Sequence, residues 1–282
     1  MEQGIWHEIE ALHQKFQKLG ISEAVDYEKY YLYSLIAHST AIEGSTLTEI
    51  ETQLLFDEGV VAGGKPLVYH LMNEDLRKAY ELAKEEARHT TPITSAFLQT
   101  LNATLMRTTG SVHNVMGGSF DSSKGEYRLC GVTAGIGGRS YMNYQKVPTK
   151  VNELCSQLQE RLGTASTIRE RYELSFNAHL NLVTIHPWVD GNGRISRLLM
   201  NYIQFLYNLL QGFFCLLKVI ALSIHERVTF RYLFIIFNSI HIDIAQSTDL
   251  FFYRAAVFFQ CRKTGIFFLA KRDRRIVSQL IF

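Results

Sequence analysis

Through residue 210 the apolar positions of this chain repeat with a helical period, interrupted once. Ile5, Ile9, Leu12, Phe16 and Leu19 recur at spacings of three and four, predicting an amphipathic helix. Ser22 is placed to cap a second helix, rich in Tyr and Leu, that runs toward Glu43 and stops at Gly44. Thr48-Glu49-Ile50-Glu51 has capping-box spacing and predicts a short helix. A glycine-containing loop from Gly59 to Pro66 precedes a long amphipathic stretch through Leu71, Leu76, Ala79, Tyr80 and Leu82. Thr91-Pro92 marks a further helix start. Pro148 opens a helix through Val151, Leu154, Leu158 and Leu162, and another from about Ser166 carries Leu174, Ala178, Leu182 and Ile185.

The interruption lies between Gly117 and Val147. There Val132, Ile136 and Tyr141 stand among glycines, a pattern too broken for a helix and consistent with a hairpin over Tyr127–Met142. The expected class is therefore all-α, a helical bundle carrying one small β-hairpin.

From Gln211 onward neither period holds. This tail contains twelve of the chain's eighteen phenylalanines and carries a charge of about +6, which leaves about −4 for the rest of a chain whose net charge is +2. It reads as an atypical hydrophobic tail without an assigned fold, either a frameshifted or degenerate terminus or a packing or membrane-surface extension. The overall charge is too small to argue for nucleic acid or an acidic partner. Cys130, Cys155, Cys215 and Cys261 form no C-x-x-C pair and read as reduced thiols. With no signal-peptide pattern at the start and no uncharged run long enough to span a bilayer, a cytoplasmic protein is expected. The oligomeric state is left open, a homo-oligomer included.

The chemistry concentrates in His186-Pro187-Trp188-Val189-Asp190-Gly191-Asn192-Gly193-Arg194-Ile195-Ser196-Arg197. Pro187 disfavours the α region at His186, so the incoming helix should end there and leave the imidazole at a helix–loop junction. Gly191 and Gly193 both tolerate positive φ, so the loop can turn successive N–H groups inward as an anion nest. The following helix offers its N-terminus to the same anion. Arg194 and Arg197, three apart, share a face and reach back toward the loop. Asp190 supplies a hard oxygen of the kind that holds Mg²⁺ together with substrate phosphates. Each feature alone has a bland reading as a helix end, a turn or a solvated face. Together they describe a nucleotide-phosphate site.

These residues resemble the Fic-domain signature H-x-F-x-[D/E]-G-N-[G/K]-R-x-x-R, departing from it only where Trp188 replaces Phe. The resemblance implies a protein adenylyltransferase that moves AMP from ATP, with Mg²⁺, to a Ser, Thr or Tyr hydroxyl of a target protein. It implies His186 as general base, Asp190 as metal ligand, and Asn192 with the Gly191 and Gly193 backbone as the holder of the α- and β-phosphates. Arg194 would then support pyrophosphate and Arg197 read the γ-phosphate, while Asn201 looks like a position that faces adenine. Ser39-Thr40-Ala41-Ile42-Glu43-Gly44 resembles the [S/T]-x-x-x-E-[G/N] inhibitory motif. It implies a Glu43–Arg197 ion pair at the γ-phosphate position. Gly125 through Tyr141 resembles the flap that clamps a target segment by strand addition, with Val132, Ile136 and Tyr141 as its contacts.

On this reading residues 1–110 form an N-terminal helical region with an inhibitory helix at about 22–44, 111–210 the core with flap and motif, and 211–282 the unassigned tail. Two rival readings remain. One is AMP removal, or another nucleotidyl or phosphoryl transfer, on the same scaffold; the other is a non-enzymatic nucleotide-sensing module. The presence of His186 argues against the latter, because binding alone needs no base.

Overall fold

The computed structural model describes residues 27–209 apart from Ile136, Gly137 and Arg139, together with His7, Glu10, Ala11, Gln14 and Lys18 near the start. Those five early positions are helical. The predicted apolar stripe Ile5–Leu19, the Ser22 cap and the tail from Gln211 lie outside the described residues. Among the described residues there are seven helices of more than one turn: α1 (Tyr27–Ala41), α2 (Glu49–Glu58), α3 (Leu67–Arg88), α4 (Ser95–Leu105), α5 (Val147–Thr164), α6 (Ile168–Ile185) and α7 (Asn192–Leu206). One antiparallel pair, β1 (Val112–Val115) and β2 (Gly118–Asp121), stands between α4 and α5. No described helix is long and apolar enough to cross a membrane.

Local chemistry accounts for most helix ends. Thr48 accepts from the Glu51 amide while the Glu51 carboxylate accepts from the Thr48 amide, as the capping-box spacing predicted. Thr167 and Glu170 repeat this at α6. Helix α1 ends at Ala41, and Gly44 follows at φ +94°, a left-handed turn that costs glycine nothing. Helix α4 starts later than Thr91-Pro92 suggested. Thr94, not Thr91, caps it by accepting from the Phe97 amide, whereas the Thr91 carbonyl accepts from Tyr202 and the Ile93 amide donates to Gln159.

The core fills the space between α3, α4, α5, α6 and α7. Leu76 and Ala79, Leu98 and Leu101, Val151, Leu182, Leu198 and Tyr202 are all buried in one cluster with Trp188. Helix α7 lies inside it and contacts α3, α4 and α6. Even its polar residues Asn192, Arg194, Asn201 and Gln204 are buried. The segment leading into α7 is thus pinned by the core.

The two-stranded sheet lies earlier than the sequence suggested. Val112–Val115 pairs with Gly118–Asp121, Val112 opposite Asp121 and Val115 opposite Gly118. Over Tyr127–Met142 the described residues contribute a single bridge, Thr133 to Ser140. The true strands have four residues each and little apolar alternation, which explains why periodicity passed over them. Gly125 locks this region onto α4: its φ is +70°, and a Cβ there would lie 2.0 Å from the Gln99 carbonyl oxygen. Gly125→Ala should therefore destabilise the fold by well over the roughly 1 kcal/mol of an average substitution. A fall in the urea midpoint at unchanged slope would register it.

Candidate active site

Helix α6 ends at Ile185, and His186 follows in the left-handed region at φ 53°, ψ 63°. The helix stops where Pro187 predicted, but His186 turns left-handed rather than extended, a conformation costing a non-glycine residue about 1–2 kcal/mol. Its amide still donates to the Leu182 carbonyl, and its own carbonyl accepts from Arg128 Nε at 2.8 Å. The ring sits half-buried, with Nδ1 3.3 Å from the Val183 carbonyl oxygen and its face stacked on Tyr141 at 3.7 Å between centroids. A carbonyl can only accept, so this contact favours the tautomer that carries its proton on Nδ1, in which Nε2 is the basic nitrogen.

Trp188 anchors the next residues. It is fully buried, and its indole N–H donates to the Gly125 carbonyl at 2.9 Å. Asn192 knots the loop from the other side, accepting from the Trp188 amide at 3.0 Å and donating to the Trp188 carbonyl at 2.8 Å. The Asn192 side chain is thus spent on the shape of the loop. Gly191, at φ +82°, turns the chain into α7, whose first-turn N–H groups have no acceptor within the helix.

Gly193 departs from the sequence expectation. It already lies within α7 and shows no positive φ; its lack of a side chain serves space instead. A Cβ on Gly193 would come within 2.7 Å of Glu43 Oε1 and 3.1 Å of Arg197 Nη1.

The two arginines diverge rather than reaching back together. Arg194 is buried beside the loop, with Nη2 3.2 Å from Asp190 Oδ1 and 3.7 Å from Met106 Sδ. Its Nε and Nη1 are buried without a hydrogen-bond partner. Arg197 turns to the end of α1. Its Nε donates to Ser39 Oγ at 2.8 Å, and its Nη2 donates to the Ser39 carbonyl at 3.0 Å and to Glu43 Oε1 at 2.9 Å. Burial pulls the Arg197 guanidinium below its ordinary pKa and the Glu43 carboxylate opposes this; an arginine stays charged throughout. Ser39 and Glu43, singled out in sequence, thus meet Arg197 as an ion pair backed by a hydroxyl and a carbonyl.

The segment carrying Glu43 is held from behind by Asn73 of α3, which is fully buried. Asn73 Oδ1 accepts from Thr40 at 3.4 Å and Thr52 at 3.3 Å, and Nδ2 donates to Ser45 at 3.5 Å and the Tyr69 carbonyl at 2.8 Å. One amide therefore joins α1, α2 and α3 around the turn that contains Glu43.

Asp190 is largely exposed. Its Oδ1 accepts from the Gly191 amide at 2.6 Å and from Arg194. No cluster of three or more potential ligands exists among the described residues. A lone carboxylate facing a phosphate loop still suits Mg²⁺, which takes one or two carboxylates and draws its other ligands from phosphate and water.

Of the remaining predicted residues, Asn201 is buried and accepts from the Tyr31 hydroxyl of α1 at 3.3 Å. Val132 and Tyr141 meet through the Tyr141 amide and the Val132 carbonyl at 3.0 Å, and Ile136 lies outside the described residues.

Two residues escaped the sequence reading. Asn102 of α4 is fully buried with both polar atoms unpartnered, and its Nδ2 lies 2.9 Å from where a Gly191 Cβ would sit. The signal was there: Asn102 follows Leu98 by one helical turn on a face that is otherwise apolar. Arg128 is also fully buried, donates to three carbonyls and, from its amide, reaches a fourth, that of Pro187. Burial lowers its pKa, and no described carboxylate pairs with it.

Residues 92–204 match the model of the Fic/DOC family. The chain is 29% identical over 180 residues to the protein adenylyltransferases Fic of Drosophila erecta and Drosophila melanogaster, a match spanning 62% of this chain and 32% of each relative. It thus spans about a third of the length of these curated relatives. Among solved structures it resembles a Fic domain containing signaling protein from Bacteroides thetaiotaomicron, with TM-score 0.60 and 25% identity over 71% of this chain and 73% of that one. Fic-1 from C. elegans shares the fold at TM-score 0.56, with 23% identity over 71% of this chain and 56% of that one. Motif, fold and relatives agree: the chain is similar to the Fic-domain proteins, and residues 92–204 are the part that matches the family.

Proposed function

We propose that this chain transfers AMP from ATP to a Ser, Thr or Tyr hydroxyl of a target protein and is held off by Glu43. One observation carries the proposal: a histidine stands at the end of α6, its Nδ1 against the Val183 carbonyl, directly before a glycine turn and helix N-terminus flanked by two arginines. Binding a nucleotide needs the loop and the cations. Only group transfer needs the base.

In this mechanism the target hydroxyl oxygen attacks the α-phosphorus of ATP, and its proton passes to His186 Nε2. The bond from the α-phosphorus to the bridging oxygen breaks, and pyrophosphate leaves with that electron pair. The α7 N-terminus and the Gly191 turn receive the phosphate oxygens, and buried Arg194, with two N–H-bearing atoms unpartnered, faces the leaving charge. Asp190 would hold Mg²⁺ with the phosphates, where the ion supplies charge neutralisation. Val132 and Tyr141, with Ile136, would line the edge that aligns the target segment.

Glu43 opposes this by its position. Its carboxylate occupies Arg197 and lies against the start of α7, where the γ-phosphate would need both. Two anions cannot share one guanidinium at that distance without strong repulsion.

Four outcomes follow. Glu43→Gly should raise incorporation from α-phosphate-labelled ATP into itself or lysate proteins by roughly 5–150-fold, the range of typical site couplings. Label from the γ-phosphate should not be incorporated; its appearance on protein would point to phosphoryl transfer instead. His186→Ala in that background should cut transfer by about 10²–10⁴-fold while calorimetry still detects ATP binding. Asn73→Leu, distant from the chemistry, should raise transfer on the order of 10-fold by loosening the Glu43 turn, as 1.4 kcal/mol of lost restraint would. Transfer by Asn73→Leu no faster than wild type would remove Asn73 from the inhibitory device.

A further inference from the structure

We propose that Arg128 is a positioning residue for the transfer reaction, one that fixes the His186 base and the loop ends at Cys130 and Met142 at a single spacing. The inference rests on the proposed function for its kinetic meaning, but its geometry stands apart from it. The guanidinium spreads its donors in one plane, and each goes to a different carbonyl: Nε to His186 at 2.8 Å, Nη1 to Cys130 at 2.6 Å, and Nη2 to Met142. Cys130 and Met142 are the two legs of the loop. Inside them, Tyr141 and Val132 are joined by a backbone hydrogen bond, and Thr133 bridges Ser140. The Arg128 amide holds Pro187 at 3.1 Å, so main chain and side chain together grip both residues of the His-Pro turn.

Two consequences follow from this arrangement. His186 occupies a left-handed conformation, so its ring direction depends on whatever holds its carbonyl. Arg128 holds it, and the same cation holds the loop that brings Tyr141 back over the imidazole. A target segment laid along the loop is thereby registered against Nε2 through one rigid fork. A lysine cannot substitute, because a point ammonium on a flexible stem does not span three carbonyls in a plane. The structure assigns it the joint between loop and base.

The test uses the full chain carrying Glu43→Gly, into which Arg128→Lys and Arg128→Gln are introduced separately. Three quantities are read: single-turnover transfer from α-phosphate-labelled ATP, calorimetric affinity for α,β-methylene-ATP, and the ring resonances of isotope-labelled His186. Both variants should lose transfer on the order of 10²-fold with the analogue affinity changed no more than about twofold, since a displacement of about 1 Å is enough for that loss. The His186 ring resonances should also shift as the Tyr141 stack is lost. Transfer at the parent rate would overturn the proposal, and so would parallel loss of transfer and analogue binding, the mark of a merely structural residue. If the Glu43→Gly parent itself transfers no label, the proposed function fails. The resonances then judge this inference alone, and an unshifted His186 ring in both variants would overturn it.

Discussion

The site depends on a chain reversal that cannot be relaxed. Between Ile185 and Asn192 the backbone leaves α6 and enters α7, and the residue at the centre of the turn, Trp188, is wholly inside the protein. A loop at that depth must satisfy its own polar groups. Asn192 pairs with both backbone groups of Trp188, the indole N–H finds the Gly125 carbonyl, and Arg128 takes the carbonyls of His186 and Pro187. These bonds leave His186 one backbone conformation and Gly191 one direction of exit. The direction of the His186 ring and the placement of the α7 N-terminus are consequences of that knot.

The same knot explains why glycine recurs for different reasons. Gly191 supplies a left-handed turn, Gly125 a close approach to α4, and Gly193 room for a neighbouring carboxylate. Sequence alone assigned both motif glycines to backbone freedom, because a glycine's residue type does not say which of its two properties is in use. For Gly193 the deciding neighbour, Glu43, is far away in the chain.

Legibility followed this division between local and distant causes. Helices whose ends are set by nearby caps, such as Thr48 with Glu51, could be read directly, as could the helix stop before Pro187. The start of α4 was misplaced because Gln159 and Tyr202, remote in sequence, use the groups around Thr91 and Ile93. Strands β1 and β2 were missed because four residues with little alternation carry almost no periodic signal. In the site, the motif residues and the Glu43–Arg197 pairing were legible through a resemblance. The splitting of the two arginines was not, since equal spacing on a helix says nothing about which neighbour each side chain meets. Asn102, Arg128 and Asn73 act through burial, and burial is decided by tertiary packing.

The proposed switch gains its sensitivity from being only moderately strong. The Arg197–Glu43 pair is partly exposed, with about a fifth of the arginine and a quarter of the carboxylate side chain reaching solvent. Pairs of this kind contribute little by themselves. What holds Glu43 in place is the surrounding turn: Gly44, the Ser39 hydroxyl and carbonyl on the same guanidinium, and Asn73 behind them. Inhibition on this view is a property of a folded segment, and the ion pair is its contact point. A γ-phosphate carries more charge than a carboxylate and could win Arg197 in a direct contest. On the proposed reading it would lose, because displacing Glu43 also requires the α1–α2 turn to give way. Relief therefore needs no chemistry at the site; loosening the turn from its far side, where Thr40, Ser45 and Thr52 converge on Asn73, shifts the same equilibrium.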